Sequence, residues 1–78
     1  MKQPVCAVFD KKSGLFDNPF VCRHTAEAQR EWEVVKKMPE TRYGKNPEDY
    51  ELRHVGYFDS SCAQFETLQP NIQLSSGV

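Results

Sequence analysis

NPEDYELRHVGYFD, residues 46–59, is the segment against which the other elements of the chain are expected to pack. Pro47 fixes its own φ and pushes the residue before it toward extended backbone, so a helix cannot pass through this point. The aromatic and branched residues that follow are typical of a β-strand. Apolar residues change from even to odd positions between Leu52 and Val55, and Gly56 comes directly after. This pattern predicts a bulge, or a strand with two apolar faces.

Upstream of this strand, the sequence predicts a β-hairpin. Residues 5–9 alternate as a strand with apolar side chains on both faces, which is typical of an interior strand. Residues 10–14 form a turn that ends in a glycine, and residues 15–22 return as the second strand. Pro19 has no N–H group to donate, so we expect the returning strand to lie at an edge or to be broken there.

A helix is predicted after the hairpin. Thr25 is a suitable N-cap residue, and an acidic side chain follows in the first turn. Ala28, Trp32 and Val35 recur at helical spacing and define one apolar face. Pro39 ends the helix near residue 38. We therefore expect Trp32 to lie at the centre of the contact between the helix and the sheet.

The predicted fold is α+β, with the order β-β-α-β-β and a largely antiparallel four-stranded sheet that carries the helix on one face. The last strand covers residues 63–68 and is ended by Pro70. Residues 1–70 then form a single α+β domain. Residues 71–78 are small and polar, and we expect them to be a flexible C-terminal tail.

Composition limits the classes of protein to which the chain can belong. Its 78 residues suffice for one small core, and oligomerisation is a plausible further source of stability. The sequence has no apolar run of the roughly 20 residues that cross a membrane, and we expect no signal segment. Three cysteines without a C-x-x-C spacing are typical of free thiols in a reducing compartment, which predicts a cytoplasmic protein.

The formal net charge of −1 conceals an asymmetry along the chain. Residues 1–45 carry nine Lys or Arg and six Asp or Glu, a net charge of +3. Residues 46–78 carry one Arg and five Asp or Glu, a net charge of −4. Dedicated nucleic-acid-binding proteins are usually basic overall, because phosphate contacts dominate their affinity. Any nucleic-acid binding by this chain must therefore use a local basic patch in its first half.

Catalytic and metal chemistry have little support in the sequence. Four side chains have zinc-ligand chemistry but match no familiar spacing: Cys22, His24, His54 and Cys62. The alternative of a Cys22 thiolate with His24 as its base lacks a recognisable motif. The four glycines are isolated, so the sequence contains no phosphate-binding loop. We expect no enzyme activity, no catalytic residues, no metal and no cofactor; a Cys/His site would instead leave zinc in the purified protein.

Basic residues and aromatic rings in the first half suggest a site for single-stranded nucleic acid. Such sites combine positive groups, which follow the phosphates, with exposed aromatic rings, which stack on the bases. The predicted contacts are Lys11, Lys12, Arg23, Arg42, Tyr43 and Lys45. Tyr57 is a second candidate for stacking. The alternative is that these charges are solvated loop residues and that a second subunit covers Tyr57.

A second candidate surface is the face of the sheet that a single helix leaves uncovered. Apolar residues occupy both parities of the strands, and one helix covers only one side, so the other side is predicted to be an interface. The predicted interface residues are Cys6, Val8, Val55 and Tyr57. The sequence therefore favours a homodimer, or a module that binds a different protein through the same face.

Residues 47–59 resemble the signature of a known family. They follow the pattern P-E-D-Y-x-L-x-x-V-G-x-F-D, which is similar to the small nonstructural protein of gokushovirus-type microviruses, phages with small circular single-stranded DNA genomes. The resemblance extends over residues 5–68 and includes the helix start at Thr25. It departs from the family at residues 60–62, where Ser-Ser-Cys replaces a glycine-containing turn.

The resemblance implies a nonstructural or DNA-binding protein that acts when a phage makes and packages single-stranded genomes. We therefore expect a non-enzymatic, homodimeric protein of the host cell cytoplasm that binds single-stranded DNA with little sequence preference and does not use a membrane. The alternative is a protein–protein interaction module that binds a replication, scaffolding or host protein without contacting DNA. Binding that weakens steeply with salt would favour the first hypothesis, and binding that hardly responds to salt the second.

Overall fold

The strand that follows Pro47 lies inside the sheet, with a partner on each side. In the computed structural model, which describes residues 1–77, it is strand β4, Tyr50–Asp59. It pairs antiparallel with β1, Lys2–Asp10, along one edge and with β5, Gln64–Ser76, along the other. An α+β architecture built on an antiparallel sheet with one main helix was predicted, and the structure confirms it.

The returning strand of the predicted hairpin is broken in two. Leu15–Phe16 forms β2 and Phe20–Val21 forms β3, and both pair antiparallel with the free edge of β1. Pro19 lies between them, where its missing N–H group would leave a gap in the ladder. Residues 1–77 therefore contain five strands, and the prediction of four is wrong by one. β2 and β3 share one edge of β1, and β4 and then β5 follow on its other side.

A bulge interrupts the centre of the sheet where the sequence predicted one. The register between β1 and β4 shifts so that His54 and Gly56 face successive residues of β1, which leaves Val55 as the extra residue. On the other side of β4, residues 68–71 of β5 bow out opposite the same point. Gly56 is required here, because a Cβ atom on it would lie 2.1 Å from the carbonyl oxygen of Glu66.

The main helix, α1, covers Thr25–Val35 and packs on one face of the sheet. Its N-cap residue is His24, so the prediction of Thr25 as the N-cap is wrong by one position. Ala28 and Trp32 are 1% and 3% exposed, which confirms the predicted apolar face. The helix ends at Val35, about one turn before the predicted end, and two further turn hydrogen bonds follow at residues 37 and 38.

The polar loop between the helix and β4 contains a second, short helix, α2, Arg42–Lys45, and a 3-10 turn at Pro47–Asp49. Thr41 caps α2: its hydroxyl donates to the carbonyl of Met38 at 2.8 Å and accepts from the N–H group of Gly44 at 3.0 Å. Among residues 1–77 the structure contains no helix with the length and hydropathy needed to span a membrane.

The core lies between α1 and the face of the sheet beneath it. Its buried side chains are Cys6, Val8, Cys22, Ala28, Trp32 and Leu52. Cys6 is fully buried and Val8 is 7% exposed, so the prediction that they lie on an uncovered interface is wrong. Their positions are even-numbered in β1, and this is the face on which the helix packs, whereas Val55 lies on the opposite face. Strand alternation separates two faces, but it does not say which of them a helix will cover.

The last strand does not end at Pro70, as predicted, but continues to Ser76. Its C-terminal half contacts α1 through side-chain donors: Trp32 Nε1 donates to the carbonyl of Ser76 at 3.1 Å, and Gln29 Nε2 donates to that of Leu74 at 3.0 Å. Residues 71–76 thus form a strand in this structure. The mobility predicted for residues 71–78 stays a prediction. Val78, the last residue of this segment, lies outside the described part of the chain.

Candidate nucleic-acid interface

The tip of the β1–β2 hairpin is held against the 3-10 turn. The N–H group of Lys11 donates to the carbonyl of Asp49 at 2.9 Å. The ammonium group of Lys12 lies 3.4 Å from the carboxylate of Asp49. Asp10 completes the tip by accepting the N–H group of Lys12 at 3.0 Å. Two of the predicted DNA contacts, Lys11 and Lys12, are therefore fixed at the end of the sheet where β4 begins.

Helix α2 brings two more basic residues to the same end of the sheet. The guanidinium of Arg42 lies 2.6 Å from the carboxylate of Asp17, the residue that directly follows β2. Lys45 is exposed at the last position of α2, two residues before the 3-10 turn that holds the hairpin tip. We call Lys11, Lys12, Arg42 and Lys45 the basic end.

Arg23 is exposed but lies far from the basic end. The preceding residue, Cys22, donates its N–H group to the carbonyl of Pro4 at 3.0 Å, near the opposite end of β1. Seven residues separate Pro4 from Lys11, which is roughly 20 Å of extended strand. The segments that carry four of the five predicted cations thus lie at one end of the sheet, and Arg23 lies apart from them.

Tyr43, the aromatic residue predicted to stack on a base, is partly buried and packs against the core. Its ring makes edge contacts with Trp32 and Tyr50, at centroid distances of 5.5 and 5.0 Å. Its hydroxyl donates to the carboxylate of Asp17, and burial and this carboxylate raise the pKa of Tyr43. With its ring engaged in this way, Tyr43 positions α2 rather than presenting a stacking surface. Tyr57, the second stacking candidate, is half-buried against the ring of His54 at 4.9 Å.

Two of the cations at the basic end are paired with carboxylates but remain accessible. The side chain of Arg42 is 62% exposed and that of Lys12 is 76% exposed. Surface ion pairs of this kind contribute about 0–1 kcal/mol to stability, so a phosphate could take the place of the carboxylate at little cost. The basic end can therefore contact a phosphate backbone without unfolding any element.

The side of the sheet away from α1, which we call the open face, carries aromatic residues that the sequence analysis did not select. Phe9 faces Phe16 with ring centroids 4.8 Å apart, and Phe58 faces Phe65 at 4.9 Å. Phe16 is 44% exposed and Phe65 is 70% exposed. Phe65 alternates with polar neighbours, as is typical of any half-buried strand, and Phe16 follows Leu15, so nothing in the sequence marked these two rings as exposed.

A polar network crosses the open face between the two aromatic pairs. Arg53 donates to the carboxylate of Glu51 and to the side-chain oxygen of Asn71. Another nitrogen of the guanidinium donates to the carbonyl of Asn71 at 3.2 Å. Glu51 is 8% exposed and Arg53 is partly buried, so this ion pair is largely shielded from solvent. The network ties β4 to the bowed segment of β5.

The four side chains with zinc-ligand chemistry do not come together. Cys22 lies in the core with its sulfur 3.8 Å from that of Cys6, and burial raises the pKa of both thiols. A ring nitrogen of His54 lies 2.9 Å from the carbonyl oxygen of Gly56, and Cys62 is exposed in the turn after β4. Within residues 1–77, no three or more His, Cys, Asp or Glu side chains are grouped so that they could hold a metal ion.

Comparison with known proteins identifies a matching family. A family described as phage ORF5 protein matches residues 3–78. No curated protein and no solved structure matches the chain. The matched region includes the basic end and the open face.

Proposed function

The chain belongs to the phage ORF5 protein family, and from this membership we propose that it is a non-enzymatic, nonstructural protein that binds single-stranded DNA. The phage would be a gokushovirus-type microvirus, and the protein would act in the host cell cytoplasm during genome synthesis or packaging. The observation that carries the proposal is the basic end, where two separate segments, the hairpin tip and α2, bring cations to one end of the sheet in a chain whose net charge is negative.

In this proposal the basic end contacts phosphates and supplies affinity without sequence preference. Lys11 and Lys45 have no carboxylate partner among the described residues, and Lys12 and Arg42 would exchange theirs for phosphate. Four phosphate contacts on a single strand predict a slope of about −3 for log affinity against log salt concentration. Affinity should then fall roughly 50-fold between about 50 and 200 mM salt.

The test measures binding of a labelled single-stranded oligonucleotide at these two salt concentrations. In a variant with both Lys11→Glu and Lys45→Glu, the affinity at low salt should drop and the salt slope should become shallower. Arg30→Glu is the matched control, because Arg30 is exposed on α1 and has no predicted role. Arg23→Glu tests whether the bound DNA also extends to the opposite end of β1. Unchanged affinity in the double variant would rule out the basic end.

A second candidate function, favoured by the exposed rings of Phe16 and Phe65, is a protein-interaction module. In this reading the open face pairs with a second copy or binds a replication, scaffolding or host protein, and DNA is not contacted. Exposed apolar surface of this kind is common at interfaces. Light scattering on the same sample distinguishes the two functions. A stable dimer that binds no DNA would favour the module.

A further inference from the structure

A cleft of about 240 Å³ opens on the open face where β5 bows out. Ala7 and Val55 lie at its base. One wall is formed by Phe16, Asp17 and Pro19 from the broken edge strand, and the carboxylate of Asp17 is paired with Arg42. The other wall is formed by Thr67, Leu68, Gln69 and Asn71 around the bow in β5. The cleft therefore exists because two irregularities, the break in one edge strand and the bow in the other, face each other across the sheet.

The two walls of the cleft differ in chemistry. Phe16 offers an exposed aromatic ring that packs against Phe9, its neighbour on β1. The opposite wall offers side-chain amides. Asn71 accepts a hydrogen bond from Arg53 with its oxygen, which orients its amide group, and in the described residues no hydrogen bond uses its amide nitrogen or the amide of Gln69. An aromatic surface opposite hydrogen-bonding amides fits a flat, polar heterocycle better than an aliphatic side chain.

The cleft is also large enough for such a ring. An apolar cavity of about 150 Å³ holds a benzene molecule. The larger volume of this cleft leaves room for a pyrimidine or a purine with its exocyclic groups.

The cleft adjoins the basic end through Phe16. The pair Asp10–Leu15 separates the pair Phe9–Phe16 from the hairpin tip that carries Lys11. On its other side, Phe16 is followed by Asp17, which holds the guanidinium of Arg42 at 2.6 Å. A base that stacked on Phe16 would thus have its flanking phosphates within the reach of cations on both sides. This arrangement favours a nucleic acid over an apolar protein segment as the occupant.

We propose that the cleft binds one unstacked base of single-stranded DNA, with its ring on Phe16 and its edge toward the amides of Gln69 and Asn71. The inference rests on the proposed DNA-binding function and adds to it a site that recognises bases. The basic end then holds the backbone, and the cleft holds a base of the same strand.

The test compares two labelled oligonucleotides of equal length, one with normal bases and one with abasic residues that keep every phosphate. Phe16→Leu removes the aromatic face but keeps an apolar side chain, and Phe16→Tyr keeps the face. We expect Phe16→Leu to weaken binding of the normal strand roughly 5- to 150-fold, the usual range for one stacked base, and to leave abasic binding unchanged. Phe16→Tyr should bind like the native protein. Phe65→Leu, which alters the exposed ring outside the cleft, is the matched control.

The outcomes separate the inference from the function on which it rests. Salt-sensitive DNA binding that Phe16→Leu leaves unchanged, or weakens equally for both strands, would overturn the base site and leave the DNA-binding function standing. Failure of the native protein to bind either strand would overturn both. A homodimer that Phe16→Leu dissociates would mean that a second copy covers the cleft, and the base site would again be wrong.

Discussion

The two faces of the sheet use similar side chains in opposite ways. Beneath α1, Leu52 and Trp32 are 1% and 3% exposed and form a closed core. On the open face, Phe16 and Phe65 keep 44% and 70% of their surface in solvent. Burial of a large apolar side chain contributes about 1.5–3 kcal/mol to stability, so the free energy of folding comes mainly from the first face. The rings of the open face remain available for contacts with other molecules.

We call the face beneath α1 the covered face. The difference in burial between the two faces predicts that substitutions on the covered face have the largest effect on stability. Trp32→Ala should lower the free energy of unfolding by about 3–5 kcal/mol, because it opens a cavity and leaves the carbonyl of Ser76 without its indole donor. Phe65→Ala should change it by less than about 0.5 kcal/mol. Urea unfolding followed by circular dichroism measures both. A cost of several kcal/mol for Phe65→Ala would mean that the open face is also structural.

An intermediate effect is expected from the polar network on the open face. Glu51→Gln removes the charge that Arg53 contacts and should lower the free energy of unfolding by about 1–3 kcal/mol, because Arg53 stays partly buried without its partner. Glu66→Gln is the matched control. Its carboxylate pairs with Lys2 at 2.6 Å, but both side chains are more than half exposed, so the change should stay within about 0.5 kcal/mol. Equal effects of the two substitutions would show that burial of Glu51 contributes nothing.

The smallest effect concerns the thiols of the covered face at alkaline pH. Burial, together with the neighbouring Cys22, raises the pKa of Cys6 from the usual 9 to about 12. As the pH rises, the Cys6 thiol therefore loses its proton in the unfolded chain before it does so in the folded chain. Its full contribution to the stability of the fold is present below pH 9 and is lost as the pH rises toward 12. Between about pH 8 and pH 10.5, the titration of Cys6 should lower the free energy of unfolding by about 1–2 kcal/mol.

The pH dependence is measured by urea unfolding at both pH values in three proteins. Cys6→Ala should flatten the decline of stability relative to the native chain. Cys62→Ala should not, because Cys62 is exposed. An identical decline in all three proteins would show that the buried thiol does not titrate differently in the folded and unfolded states.

Local patterns in the sequence predicted the elements whose determinants are local. The spacing of Ala28 and Trp32 located the helix and its buried face, and Pro19 located the break in the edge strand. The change of parity before Gly56 located the central bulge. In each case one residue type or one short period decides the outcome.

The features that the sequence did not predict depend on tertiary contacts. Pro70 would end an interior strand, but it lies in the bowed segment of β5, where the ladder with β4 is already interrupted. Tyr43 looked like an exposed loop aromatic, yet it is partly buried by contacts with Trp32 and Asp17, which belong to other elements. The assignment of Cys6 and Val8 to the wrong face has the same origin, because strand alternation carries no information about where a helix docks.

The direction of the strands also determines how the molecule would respond to mechanical load. β1 and β5 both run antiparallel to β4, so they run parallel to each other on its two sides. The N-terminal end of β1 lies beside the last residues of β4, where Ser60 donates to the carbonyl of Met1, and Gly77 lies beside Tyr50, at the start of β4. A force that pulled these two ends apart would shear β1 and β5 along β4 and load the rungs of each ladder together rather than one after another. The arrangement of the three strands is therefore expected to resist extension along the strand direction.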